Sequence, residues 1–223
     1  MANLRDIKKR ISSVTSTKQI TRTMEMVSTA KIRRALDRAT QAEPYKKALT
    51  DVMHTVASDA ESVGDNPMLQ THEEFKRGLI IAVTSDRGLA GGFNVNVERT
   101  CEKIAREWEH DGAECEIIAC GRKASEYFRS RANTVMHFEG SSADPSLKDA
   151  RMIASYICDE YSKGQLDRVE IVYHHARNRV DQVLRTEHLL PLDPEMVAMA
   201  HGPRKNADEG PERVSSSFKF VPS

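Results

Sequence analysis

The segment Ser85-Asp86-Arg87-Gly88-Leu89-Ala90-Gly91-Gly92-Phe93-Asn94 holds the densest set of residues that could do chemistry in this 223-residue sequence. It follows Gly78 to Thr84, a short apolar run rich in β-branched residues, and so lies where a strand gives way to a helix. That is the place where α/β folds bind phosphates. Its spacing, however, is neither GxGxxG nor GxxxxGK followed by Ser or Thr, and no lysine follows the glycines to reach a phosphate. A structural turn built on Gly88, Gly91 and Gly92 is the better reading, with Asp86 and Arg87 pairing locally or presenting a docking surface. A nucleotide-binding α/β enzyme using Gly88 to Gly92 stands as the alternative. Other chemistry is thin. Ser85 lacks the GxSxG frame of a nucleophile elbow. His174 and His175 are adjacent on a strand and face opposite sides, with no carboxylate or cysteine spacing to complete a metal set. The four cysteines (Cys101, Cys115, Cys120, Cys158) contain no CxxC pair, which indicates neither a zinc site nor a disulfide framework. The sequence asks for no catalytic residue, cofactor or metal.

The elements around the loop read as an α/β unit over residues 76–192. A helix runs from the loop to about His110, with Val95, Val97, Cys101, Ile104, Ala105 and Trp108 inward, and Asp111-Gly112 ends it. A strand from Ala113 to Gly121 follows, then a helix holding Ala124, Tyr127 and Phe128, then a strand from Thr134 to Phe138. Ser146 to Lys163 is helical, with Met152, Ile153, Tyr156 and Ile157 inward, and two strands close the run, Arg168 to His175 and about Val180 to His188. Alternating strands and helices predict a Rossmann-like, mainly parallel sheet, its last pair an antiparallel hairpin. Beyond Leu192, residues 193–223 have linker composition, with five of the eight prolines at or after Pro191, and are expected to be disordered.

Residues 1–63 are different in kind. They contain no glycine and only one proline, Pro44, and read as one very long helix capped by Asn3 and stopped at Gly64-Asp65-Asn66-Pro67. With Leu4 at heptad position a, eleven of the sixteen a and d positions through Val56 are apolar and the frame never slips. A sustained heptad frame is a coiled-coil seam. It fails at four consecutive positions, Lys18, Thr21, Glu25 and Ser28, where the apolar residues rotate to Ile20, Met24 and Val27. Either the coil loosens there or the helix meets something other than its coil partner.

Charge is divided the same way. The sequence has 33 basic and 33 acidic residues and no net charge, yet residues 1–38 hold ten basic and three acidic ones, an excess of +7 that the remainder balances. Such an excess beside a seam fits a solvated helix face, or docking on acidic protein surfaces or phosphates. A basic-zipper nucleic-acid binder would carry its basic residues ahead of the seam, whereas here they overlap it, so no nucleic-acid partner is expected. Aromatic residues at 5% and hydrophobic residues at 39% are low for a compact globule, and 30% charged residues suit an extended helical shape. No apolar run approaches the roughly 18 residues of a bilayer span, so no direct membrane span is expected.

The segment Ile20 to Ala35 (ITRTMEMVSTAKIRRA) and the loop Ser85 to Asn94 (SDRGLAGGFN) closely resemble the two best-known motifs of the gamma subunit of F-type ATP synthases, and the likeness covers residues 1 to about 192. The resemblance implies a central-stalk rotor of the F1 sector, not catalytic on its own, that mechanically couples transmembrane proton flow to ATP synthesis in the alpha and beta ring. It implies an antiparallel coiled coil of first and last helices inside that ring, and an α/β domain at the base near the epsilon subunit and the membrane c-ring. Met24 matches the methionine facing the beta subunits. Lys18, Arg22, Lys31, Arg33 and Arg34 occupy the basic band near acidic beta loops, with Ile20 and Val27 completing the contact. Ala90 stands where many members carry cysteine. Residues 193–217 are longer and more polar than the usual link. The second long helix of the family, which follows a segment like Phe218 to Ser223, is missing, so the chain is expected to be a fragment or to pair with a separately supplied helix. Met1 lies just before the family's first helix, and the chloroplast-type insert is absent, which implies a bacterial protein held peripherally on the cytoplasmic face of the membrane.

Overall fold

The computed structural model describes residues 3–57, 67–70, 72–142, 145–178 and 181–192. The expected stop at 64–66 and the expected linker of 193–223 lie outside the described residues. Helix α1 spans Leu4–Ala57, 54 residues with Pro44 inside it. Asn3 stands at its N-terminus, its carbonyl accepting from the Asp6 and Ile7 amides. At about 1.5 Å per residue the helix is some 80 Å long, far beyond the width of a small domain. Its seam side chains Leu4, Ile7, Ile11, Val14, Ile32 and Leu49 are all exposed. Thr15, Thr17, Thr21, Thr23 and Thr29 turn their hydroxyls back onto the carbonyl four residues earlier, which satisfies these polar groups within the helix itself.

The rest is one sheet with helices. A 3-10 turn at Pro67–Leu69 leads to β1 (Arg77–Val83), α2 (Phe93–His110), β2 (Glu114–Cys120), α3 (Arg122–Phe128), β3 (Asn133–Phe138), α4 (Leu147–Ser162), β4 (Arg168–Ala176) and β5 (Gln182–Leu190). The strand order is β3-β2-β1-β4-β5. All pairs are parallel except the β4–β5 hairpin. Strand β1 is central, with Ile81 level with Ile118 on one side and Ile171 on the other, and so must be apolar on both faces. Its side chains alternate between two cores. Ile80 and Ala82 join Ile117, Ala119 and Val172 against Val97, Cys101, Trp108 and Phe128 of α2 and α3. Leu79 and Ile81 join Ile118, Val169 and Leu190 against Ile157 and Tyr161 of α4. Among the described residues two helices thus cover one face and a single helix the other. Ser146 caps α4, its hydroxyl accepting from the Lys148 amide at 3.1 Å.

Two inward assignments are corrected. Val95 is 41% exposed, because it lies in the first turn of α2, while Asn94 and Glu98 of that helix are buried instead. Met152 is 47% exposed on the flank of α4 toward β3, beside Leu147 and Met136, because the single helix on that face is too narrow to bring all its apolar side chains onto the sheet.

Close packing depends on two glycines. A Cβ on Gly78 would stand 2.3 Å from the Trp108 ring. At Gly121, which ends β2 with φ of +98°, it would stand 2.3 Å from the Thr84 carbonyl oxygen. Gly112 shares a positive φ, +88°, but has open space around it. Gly121→Ala is therefore expected to destabilise the domain by at least about 3 kcal/mol, and Gly112→Ala by only about 1 kcal/mol. Urea denaturation of both variants checks this, and equal losses would contradict it.

Candidate functional site: the groove between the helix and the glycine loop

Ile20, Met24, Val27 and Lys31 are spaced four, three and four residues apart and so form one stripe on α1. This stripe, with Gln19, Thr23 and Ser28, faces Arg87, Gly88 and Leu89 across a groove of about 780 Å³. The seam break and the glycine loop, more than fifty residues apart in sequence, are therefore one site. Its floor is apolar, since Ile20, Met24 and Val27 are all exposed, Met24 by 49%. Lys31 and Arg87 supply cations from the two sides. Lys18, Arg22, Arg33 and Arg34 are exposed on the same helix but do not line the groove.

The loop is held from beneath by Asp86. Its carboxylate accepts hydrogen bonds from the amides of Arg122 (3.0 Å), Gly140 (2.7 Å) and Ser142 (3.1 Å) and from the Ser142 hydroxyl (2.5 Å). One side chain thereby ties together the turns that follow β1, β2 and β3. Burial pushes the Asp86 carboxyl up, but these four donors outweigh it and hold the group below the usual aspartate range. Asn94 completes the brace. Its carbonyl oxygen accepts from the Ser85 amide (2.9 Å) and hydroxyl (3.0 Å), and its amide donates to the Arg87 carbonyl (3.4 Å). Asp86 thus turns inward while Arg87 is left facing outward, and the two do different work.

Sequence reasoning missed Leu89. It takes a left-handed φ of 61° and leaves its side chain 96% exposed at the groove. A branched residue in that conformation is strained, and the loop that imposes it presents an apolar tip where a turn alone would carry glycine or asparagine. Gly91 and Gly92 stand behind the groove and do not line it, and a Cβ on Gly88 or Gly91 would meet nothing within 4 Å. The loop is therefore no tight cradle of backbone amides of the kind a bound phosphate requires. Elsewhere burial pushes the thiols of Cys115 and Cys120 up to about 12 and about 11, and that of Cys101 higher still, so none is a ready nucleophile. Among the described residues no group of three His, Cys, Asp or Glu side chains could hold a metal. His174 stacks on Phe93 with its Nε2 3.0 Å from the Phe93 carbonyl oxygen, and His175 turns to Tyr173.

Comparison with known proteins gives a consistent likeness. A family model described as ATP synthase matches residues 3–223. The ATP synthase gamma chain of Chlorobium phaeobacteroides is 38% identical over 99% of this chain and 72% of its own length. That of Cytophaga hutchinsonii is 37% identical over 86% of this chain and 66% of its own. The fold is similar to a chain in the central stalk and c-ring structure of the Tetrahymena thermophila mitochondrial ATP synthase. Its TM-score is 0.56 at 20% identity, covering 77% of this chain and 72% of that one.

A second aspartate works like Asp86 at the opposite end of the sheet. Asp167 accepts from the Lys76 and Arg77 amides at 2.8 Å each and pairs with His72 Nδ1 at 2.7 Å, anchoring the stretch that enters β1. Burial raises its carboxyl, and the two amides and His72 overcome that and lower it. Both carboxyls are depressed on folding. Their stabilisation is accordingly complete above the ordinary aspartate value near 3.8 and is lost as pH falls through their lower folded values. Asp86→Ala is expected to lose about 2 kcal/mol at pH 7, and correspondingly less at pH 2. Thermal unfolding across that pH range checks this, and a loss that did not shrink in acid would contradict it.

Proposed function

Because the chain belongs to the ATP synthase gamma-chain family, we propose that it acts as the shaft of the central stalk, with α1 running inside a ring of alpha and beta subunits and the α/β domain at its foot. The observation that carries this reading is the groove itself. An apolar stripe flanked by cations lies at the one stretch of α1 where the heptad seam lapses, and the glycine loop is folded against it. Where the seam serves a coil partner, this stretch serves a second surface. An acidic, partly apolar loop of a beta subunit has the matching chemistry, with Met24, Ile20 and Val27 as the apolar contact and Lys18, Arg22, Lys31, Arg33 and Arg34 as the basic band.

Weak pairing suits such a surface. Exposed ion pairs contribute only about 0.2–1 kcal/mol each, so contacts of this kind can bias one neighbour's conformation and then release it. A shaft whose apolar stripe lies on one side presents a different face to each surrounding subunit, and each subunit's equilibrium shifts by its differential contact. The coupling is mechanical and requires no catalytic group on this chain. No helix among the described residues is long and apolar enough to cross a membrane. Attachment to the membrane sector through the epsilon subunit and c-ring, on the cytoplasmic face of a bacterial membrane, completes the proposal. A nucleotide-binding enzyme is not favoured by any feature of the loop.

Met24→Lys, and separately the double reversal Arg33→Glu with Arg34→Glu, are expected to lower proton-driven ATP synthesis severalfold in the reconstituted complex while the complex still assembles. Met26→Lys, off the stripe, should have a smaller effect. Normal synthesis rates in the first two variants would falsify the assigned contacts.

A further inference from the structure

Strand β3 is an edge of the sheet and, among the described residues, pairs with β2 alone. Such a strand turns half of its backbone amides and carbonyls outward, where they can take a further strand. The two edges of the sheet differ. β5 carries Arg185 and Glu187, which pair at 3.3 Å, and charge of this kind discourages pairing with a foreign strand. β3, which reads Asn133-Thr134-Val135-Met136-His137-Phe138, holds no lysine, arginine, aspartate, glutamate or proline. A bulge at Val135 interrupts its register with β2, after which Met136, His137 and Phe138 run level with Ile118, Ala119 and Cys120.

Beside this edge lies a groove of about 510 Å³ between β3 and the flank of α4. Met136, Leu147, Met152 and Tyr156 make it apolar, and Leu147 is 67% exposed. Lys148 and Arg151 stand on its α4 side, and no acidic side chain lines it. Among the described residues neither cation is paired with a carboxylate. The Tyr156 hydroxyl is already committed, donating to Glu116 Oε2 at 2.9 Å, so the two cations are the charge left to be matched. From Leu147 to Ser155 the flank runs about 12 Å, the length of roughly four strand residues.

We infer that β3 takes one further strand from a partner protein. That strand is a short extended segment that hydrogen-bonds to the outer edge of β3 and turns apolar and acidic side chains into the groove, onto Met136 and Met152 and onto Lys148 and Arg151. Main-chain bonds along the edge supply affinity, and the groove selects the side chains. A helix laid in the groove would leave the edge of β3 unpaired. A flat anionic membrane would meet Lys148 and Arg151 without entering between β3 and α4. The open edge and the cationic, apolar groove lie side by side, and an extended acidic segment is the occupant that satisfies both. The inference concerns the α/β domain and stands whether or not α1 turns inside a ring.

Amide hydrogen exchange of the full chain, with and without two synthetic nonapeptides, tests it. In one peptide every second residue reads Glu-Val-Val-Glu, with threonine between and at both ends, so that the extended chain lays these side chains on one face. In the other, lysine replaces glutamate. The glutamate peptide is expected to slow exchange of the outward β3 amides at least about tenfold and to bind at least about tenfold more tightly than the lysine peptide, with β5 unchanged. Lys148→Glu with Arg151→Glu, both at exposed positions, should invert that preference. Equal binding of the two peptides, protection at β5 instead of β3, or none at the highest soluble peptide concentration would overturn the inference. So would outward β3 amides already protected in the free chain, by a second copy or by another part of this one, or phosphatidylglycerol vesicles that protect them as the peptide does.

Discussion

One helix of 54 residues whose apolar seam side chains are left exposed sets the terms for everything else in this chain. Burying Leu4, Ile7, Ile11, Val14, Ile32 and Leu49 would release on the order of 10 kcal/mol at roughly 1.5–3 kcal/mol per side chain. That is comparable with the whole stability of a domain. A helix with such a stripe is built for a partner, and the heptad spacing says that the partner is another helix. The lapse at Lys18 to Ser28 then acquires meaning by contrast. If the seam were merely imperfect, its polar positions would be scattered. They are consecutive, the apolar residues reappear on a neighbouring line, and the glycine loop of the other structural unit lies against that line.

The α/β domain can be understood as the means of holding that loop in place. Asp86 gathers the ends of β1, β2 and β3 through four hydrogen bonds, and Gly121 lets β2 end close enough to the Thr84 carbonyl for this to happen. At the other end of the sheet Asp167 fixes the approach to β1 from the helix side. Two carboxylates with depressed titration thus brace the two ends of one strand, β1, which is the central strand and joins the long helix to the loop. The placement of Arg87 and Leu89 on the domain surface follows from these hydrogen bonds and those of Asn94.

Much of this was legible in the sequence, for identifiable reasons. The buried strands announced themselves because β1 and residues 117–119 of β2 are apolar on both faces, and Asp111-Gly112 marks a helix end that the structure keeps. Heptad phase exposed the seam and its lapse. Inward directions were less secure. Val95 and Met152 fit a helical stripe but lie at the margins of their helices, where periodicity cannot tell a covered flank from an open one. The joining of Met24 to Leu89 was beyond reach, since it depends on where a helix and a loop from different units meet. Asp86 could be singled out, but its role as an internal brace needed Ser142 and Gly140, which come close only after β3 is laid down.

The central claim is that α1 owes its order to surfaces outside this domain: a helix along the seam, and a protein surface at the lapse. Hydrogen exchange on α1, in the chain alone and in the chain assembled with alpha and beta subunits, measures it directly. In the free chain the amides of residues 8–50 should exchange at least about a thousandfold faster than those of β1 and β2, and assembly should protect them, residues 18–31 included. Protection of α1 equal to that of the sheet in the free chain, or no gain on assembly, would contradict the account.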